Sequence, residues 1–194
     1  MKFQKSIISV IAILSVALSS GCGQNESQEK ISNNQEMVNT TNNSSPDKVG
    51  SKTILFNKEF SQKETELSTF KEGVFIDLST YVKDLFTKDI AEKIQYNMNA
   101  IVKHDQTKFK ENMLDEDSIK VNLDWFKYKY EDGVKFEFNE LNGITYDEDA
   151  KRIQVVVTFY RNIKDERVEQ GVLTYSLLKE KNSGTWLIAT LDGN

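Results

Sequence analysis

Three residue types that carry much of protein chemistry are almost missing from this 194-residue chain, which has one cysteine, one histidine and one proline. A lone cysteine, Cys22, cannot form an internal disulfide. A lone histidine, His104, leaves too few nitrogen and sulfur donors for a zinc centre of the usual kind. The nine glycines are scattered, so no phosphate-cradling loop is spelled out. No Gly-x-Ser-x-Gly stretch offers a serine nucleophile. Nor is there a basic stripe: 25 Lys and Arg are interspersed with 30 Asp and Glu, for a net charge of −5. Nucleic-acid binding therefore lacks its phosphate-neutralising term.

What is there begins at the first residues. Lys2 and Lys5 form a basic start, Ile7 to Leu18 an apolar run, and Ser19, Ser20 and Gly21 a small-residue end before Cys22. A dozen helical residues rise only about 18 Å, short of a hydrocarbon core of roughly 30 Å. The pattern is that of a secretory signal rather than a permanent membrane span. Leu18 to Gly23 resembles the lipobox of bacterial lipoproteins, with the leucine one place early and Ser19 in its usual position. The resemblance implies cleavage after Gly21 and a diacylglycerol on Cys22. Each buried methylene contributes about 0.8 kcal/mol, and two chains anchor stably where one is marginal. The implied localisation is extracytoplasmic, at the outer face of the cell membrane, with Cys22 as the lipidation site.

Residues 22–50 read as that cysteine plus a linker. Asn, Ser, Gln and Thr dominate from Gly23 to Gly50, and Pro46 lies near the end. Such a composition does not bury enough apolar surface to offset its ordering entropy. As a flexible coil, about 28 residues average roughly 30 Å end to end and reach about 90 Å at full stretch. The remainder, 51–194, is the size of one domain with one core. Eleven Phe, seven Tyr and two Trp are available to the chain for that core.

Thr53 to Phe60 reads as a short strand, followed by a polar connection through Glu72. From Asp77, a candidate cap, the residues Val82, Phe86, Ile90, Ile94, Met98 and Ile101 recur at helical spacing, predicting one amphipathic helix to about Lys103. Asp105 is placed to cap a second, shorter helix carrying Phe109 and Met113. Between Asp115 and Tyr130, Ile119, Leu123, Phe126 and Tyr130 fit a helix, while Ile119, Val121, Leu123 and Trp125 fit a strand. The helical pattern persists longer and is preferred. After Gly133 the period becomes two: Val134 to Phe138, Ile153 to Phe159, Leu173 to Leu177, and Trp186 to Leu191. Turn-rich gaps at Asn142 to Asp149, Asn162 to Glu166 and Asn182 to Gly184 separate these runs, predicting hairpins. Helices first and strands later describe an α+β domain with helices on one face of a curved antiparallel sheet.

This order resembles the cone-like fold of nuclear transport factor 2-like and cystatin-like domains, which occur on lipoproteins of Gram-positive bacteria. The cues are the helix ending at Ala100 to Asp105 before Phe109, and the closing strand Gly184 to Ala189 with its tryptophan. The resemblance spans about Leu78 to Leu191. It implies either a binding module or, as in some relatives, a small-substrate enzyme with a carboxylate or His inside the cone. It also admits an accessory or exclusion lipoprotein of a mobile element.

The residues themselves favour the first. His104 and Asp105 are sequence neighbours at a helix end and do not face each other, so a solvent-facing role at a helix C-terminus is simpler. The triplets Asp115-Glu116-Asp117 and Asp147-Glu148-Asp149 lack the spacing of an EF-hand loop and sit where caps and turns use carboxylates. The inward strand positions are almost wholly apolar, with Tyr175 and Thr190 the polar exceptions. No catalytic residue, metal or cofactor is read from the chain. Trp125, Tyr128 and Lys129, outward on a helix whose Phe126 and Tyr130 face the core, form a candidate contact patch, since Trp and Tyr are favoured interface anchors. The expected function is a non-enzymatic binding or interaction module at the envelope. Its partners are the membrane, through the anchor, and an envelope protein or small ligand.

Overall fold

The computed structural model describes residues 47–63, 66–129 and 133–193. Residues 1–21, expected from sequence to be a signal segment, Cys22 and residues 23–46 lie outside them, as does Tyr130. The described chain is an α+β fold built on a curved, open, mostly antiparallel sheet. Its strands are β1 (Asp47–Val49), β2 (Lys52–Asn57), β3 (Gly73–Val74), β4 (Val134–Asp147), β5 (Arg152–Ile163), β6 (Arg167–Lys179) and β7 (Trp186–Gly193). They lie in the order β1-β2-β4-β5-β6-β7, and the two-residue β3 pairs in parallel with β4 at Glu137 and Phe138. Three helices, α1 (Lys88–Val102), α2 (Gln106–Lys110) and α3 (Glu116–Lys129), precede the four long strands.

Alternation decides which face is buried. Ile153, Val155, Val157 and Phe159 of β5 join Leu173, Tyr175 and Leu177 of β6 in one core with Ile90, Ile94, Met98 and Ile101 of α1. These helix positions repeat at four and three, so one stripe of α1 meets one face of the sheet. Thr87 caps α1, its hydroxyl accepting from the Ile90 N–H at 3.5 Å. Asp105 caps α2 in the same way, accepting from Lys108. The 116–129 segment is helical, as its longer period predicts, and Asp115 accepts from the Ser118 N–H at 2.8 Å at its start.

Three expectations are corrected. The first helix does not run from Asp77: that residue caps a single 3-10 turn, Leu78–Tyr81, and a tight turn with a Lys83–Phe86 bridge intervenes before α1. Asp84 at its tip takes a positive φ of 52°, which breaks helical geometry. Phe86 is buried for packing reasons, so the apolar stripe carried on past the true cap. Second, Asn142-Gly143 is not a turn. It lies inside β4, where register shifts between Phe138 and Glu140 and between Leu141 and Gly143 insert extra residues, and such bulges bend a strand without ending it. Third, a register shift between Ser176 and Leu177 of β6 and their β7 partners turns Thr190 outward, where it is exposed. The sheet also reaches back to β1, four residues into the stretch that composition alone reads as linker.

Candidate functional site

The inside of the curved sheet is occupied. Phe136, Phe138 and Phe159 form an aromatic cluster with centroid separations of 5.7 to 6.4 Å. Tyr175, fully buried, directs its hydroxyl to the side chain of Asn97 on α1, donating to Oδ1 at 3.1 Å. Asn97 in turn donates from Nδ2 to the carbonyl of Phe109 at 3.1 Å. The two polar groups thus satisfy each other, as burial without a partner would be costly.

Two concavities lie outside this core along the segment Phe75–Tyr81, and a third of about 260 Å³ lies between β6 and β7, lined by Val172, Thr174, Asp192 and Gly193. Of the first two, one is a groove of about 210 Å³ floored by Ile76, Leu78 and Ala91 and rimmed by Lys88 and Glu92. The other, a second groove of about 210 Å³, is lined by Lys58, Phe75, Tyr81, Asn139 and Glu140. Ile76 and Asp77 belong to both. This second groove exists because β4 has two different partners on one edge. β2 leaves it after Gly143 and β3 meets it only at Glu137 and Phe138, so the bulged Asn139 to Leu141 stretch is left between them.

Local chemistry holds this ridge in place. The Phe75 N–H donates to the Phe138 carbonyl at 2.7 Å, and Tyr81 packs edge-on to Phe56 at 4.9 Å. Lys58 pairs with Glu140, which lies 4.0 Å from Lys63 as well. The Glu140 carboxylate raises the Lys58 ammonium above its ordinary pKa, so the groove holds a paired charge of each sign. Phe75 is 56% exposed, an aromatic side chain left on the surface beside two grooves.

The residues singled out from sequence fare unevenly. Cys22 lies outside the described residues. Trp125 is on α3 as expected, but it does not face outward: it is half-buried and packs against the core beside Phe126, itself 4.4 Å from Phe109. Its indole N–H has no acceptor among the described residues. Tyr128 and Lys129 end α3, and their side chains fall outside the described set. His104 is exposed and holds a positive φ of 53° just past α1. There the N–H of His104 donates to Ile101 and that of Asp105 to Ala100, a Schellman closure with histidine in the place glycine usually takes.

The acidic triplets cap and turn. Asp115 starts α3, and its bond from the Ser118 N–H lowers its pKa. Asp147 accepts from the Ala150 N–H at 2.9 Å in the β4–β5 turn. Among the described residues no group of three His, Cys, Asp or Glu is placed to hold a metal ion. The Phe75 ridge was missed because Val74-Phe75-Ile76 fits neither period long enough to register. Its signal was an aromatic in a short apolar run flanked by polar connections.

Compared with known proteins, the chain matches no family model, no curated sequence and no solved structure.

Proposed function

We propose that this chain is an exported lipoprotein, acylated on Cys22 and held at the outer face of the cell membrane. There its α+β domain, of the cone-like kind that nuclear transport factor 2-like and cystatin-like domains share, serves as a non-enzymatic binding module. The supporting observation is where the space lies. The inner face is filled by Phe136, Phe138, Phe159 and Tyr175, while two grooves and the exposed Phe75 sit outside on the Phe75–Tyr81 ridge. A pocket enzyme needs substrate and a perturbed acid or base in a shared cavity. A ridge with an apolar groove on one side and a polar one on the other suits a peptide segment of an envelope protein. An apolar side chain would enter against Ile76, Leu78 and Ala91. Polar groups would meet Lys58, Asn139 and Glu140.

A photo-crosslinking amino acid at position 75, introduced in cells, tests this. One dominant adduct is expected at 75, with none from a matched probe at the exposed Thr190 on the distant end strand β7. Equal, diffuse labelling at both positions would refute the ridge as the binding site.

A further inference from the structure

We propose that the turn following the ridge rests on the lipid surface to which the chain is anchored, so that the grooves open at the membrane–water boundary. The inference rests on the lipoprotein reading and adds the orientation of the domain to it. Five of the six large apolar side chains left exposed among the described residues, Phe60, Leu67, Phe75, Val82 and Leu85, fall ahead of α1. The sixth, Val121, is alone on α3. Val82 and Leu85 flank the tight turn at Asp84, directly after Tyr81, and Tyr81 shares the polar groove with Phe75. Scattered exposed apolar residues need no explanation, but a group gathered in one stretch of chain does.

The direction of β1 shows where the described chain begins. Asp47 pairs with Ile54 and Val49 with Lys52, antiparallel. The N-terminal end of β1 is therefore directed toward the Phe56–Asn57 end of β2. Phe56 is the residue on which Tyr81 packs at 4.9 Å. The strand joined to the anchored segment thus points to the edge that carries Val82 and Leu85. Cys22 is separated from Asp47 by residues 23–46, a stretch that spans at most about 80 Å. Tethering at that range makes contact with lipid effectively intramolecular, so a few apolar side chains too weak to bind a bilayer alone are sufficient. The turn carries Lys83 and Asp84, 4.0 Å apart, and Lys88 pairs with Glu92. The contact is accordingly an apolar one and does not depend on anionic lipid.

The full lipidated protein is reconstituted into phosphatidylcholine vesicles, with and without a minority of phosphatidylglycerol. Acylation occupies the only native cysteine, so an environment-sensitive thiol dye reports Val82→Cys, Leu85→Cys or the control Thr190→Cys separately. Flotation with the vesicles reads the anchor, and dye emission reads the docking. Expected are a blue shift and quenching by spin-labelled lipid at 82 and 85, unchanged at 190, with either lipid mixture. Protein that floats while dyes at 82 and 85 emit as in water overturns the docking and leaves the anchor standing. Protein that fails to float overturns both. A blue shift that appears without vesicles on raising protein concentration assigns the turn to a second copy, and a shift that requires phosphatidylglycerol assigns it to charge; each overturns the apolar lipid contact.

Discussion

Asn122 serves Leu191 as a neighbouring strand would: its Oδ1 accepts the Leu191 N–H at 2.7 Å, and its Nδ2 donates to the Ala189 carbonyl, two residues earlier, at 3.0 Å. Just before it, Ile188 exchanges bonds with Asn112 and Leu114. One fully buried side chain on α3 and a short loop thus close the β7 edge of the sheet, which would otherwise template pairing with another chain.

Asn122→Ala should lower stability by about 1–3 kcal/mol, because two buried backbone groups lose their partners. It should also promote self-association through the uncovered edge. Thermal melting checks the first and sedimentation velocity the second; a monomer of unchanged stability would show that the edge is protected by something else.

The buried pair Asn97 and Tyr175 makes a separate prediction. Tyr175→Phe should destabilise by about 1 kcal/mol and Asn97→Ala by about 2–3 kcal/mol, the latter also orphaning the Phe109 carbonyl. In the double variant the losses should add to less than their sum, since both remove one shared bond. Urea titration of the four proteins is the measurement.

Trp186 stands edge-on to Tyr146 at 6.4 Å and beneath the Lys179 ammonium at 5.2 Å, with 9% of its surface exposed. Trp186→Ala should therefore cost about 3–5 kcal/mol. Phe75→Ser, at an exposed position, should stay within about 0.5 kcal/mol of the parent. A Phe75→Ser protein that melts early would mark that ring as structural.

Acid stability follows from carboxylates whose pKa is depressed by folding. Backbone N–H bonds from Lys108 and Ser118 hold Asp105 and Asp115 below 3.8, and the Lys135 ammonium does the same for Asp165. Groups lowered in the folded state contribute above their unfolded pKa and lose that contribution as pH falls through the folded one. Melting temperature should accordingly be flat near neutrality and fall below about pH 4. Asp115→Asn should melt lower at neutral pH but show a shallower acid limb.

Much of this architecture is legible in the residues, and the failures have physical causes. The strands after Gly133 show because a half-buried sheet must alternate, and α2 shows because Asp105 has a cap to make. The start of α1 was misplaced because Phe86 is buried by tertiary packing in a loop, which periodicity does not distinguish from a helix face. Asn142-Gly143 has the composition of a turn, yet β2 and β5 on either side hold it as a bulge. Asn97 and Asn122 went unnoticed because an apolar stripe is found by its hydrophobic members, and a buried amide declares itself only through distant partners. The ridge at Phe75 likewise depends on how β2 and β3 share one edge of β4, a relation between segments far apart in the chain.

The position of β1 also sets how the domain responds to mechanical load. On the proposed anchoring, a pull from the envelope would enter at Asp47, the open end of the β1–β2 hairpin, where the two strands separate pair by pair instead of shearing together. Only three residue pairs, Asp47–Ile54 to Val49–Lys52, resist it. Behind them β2 is joined to β4 from Lys52 to Asn57. β1 is thus a yielding element that would peel first under tension on the N-terminal segment, while the strands that position the Phe75 ridge stay in register.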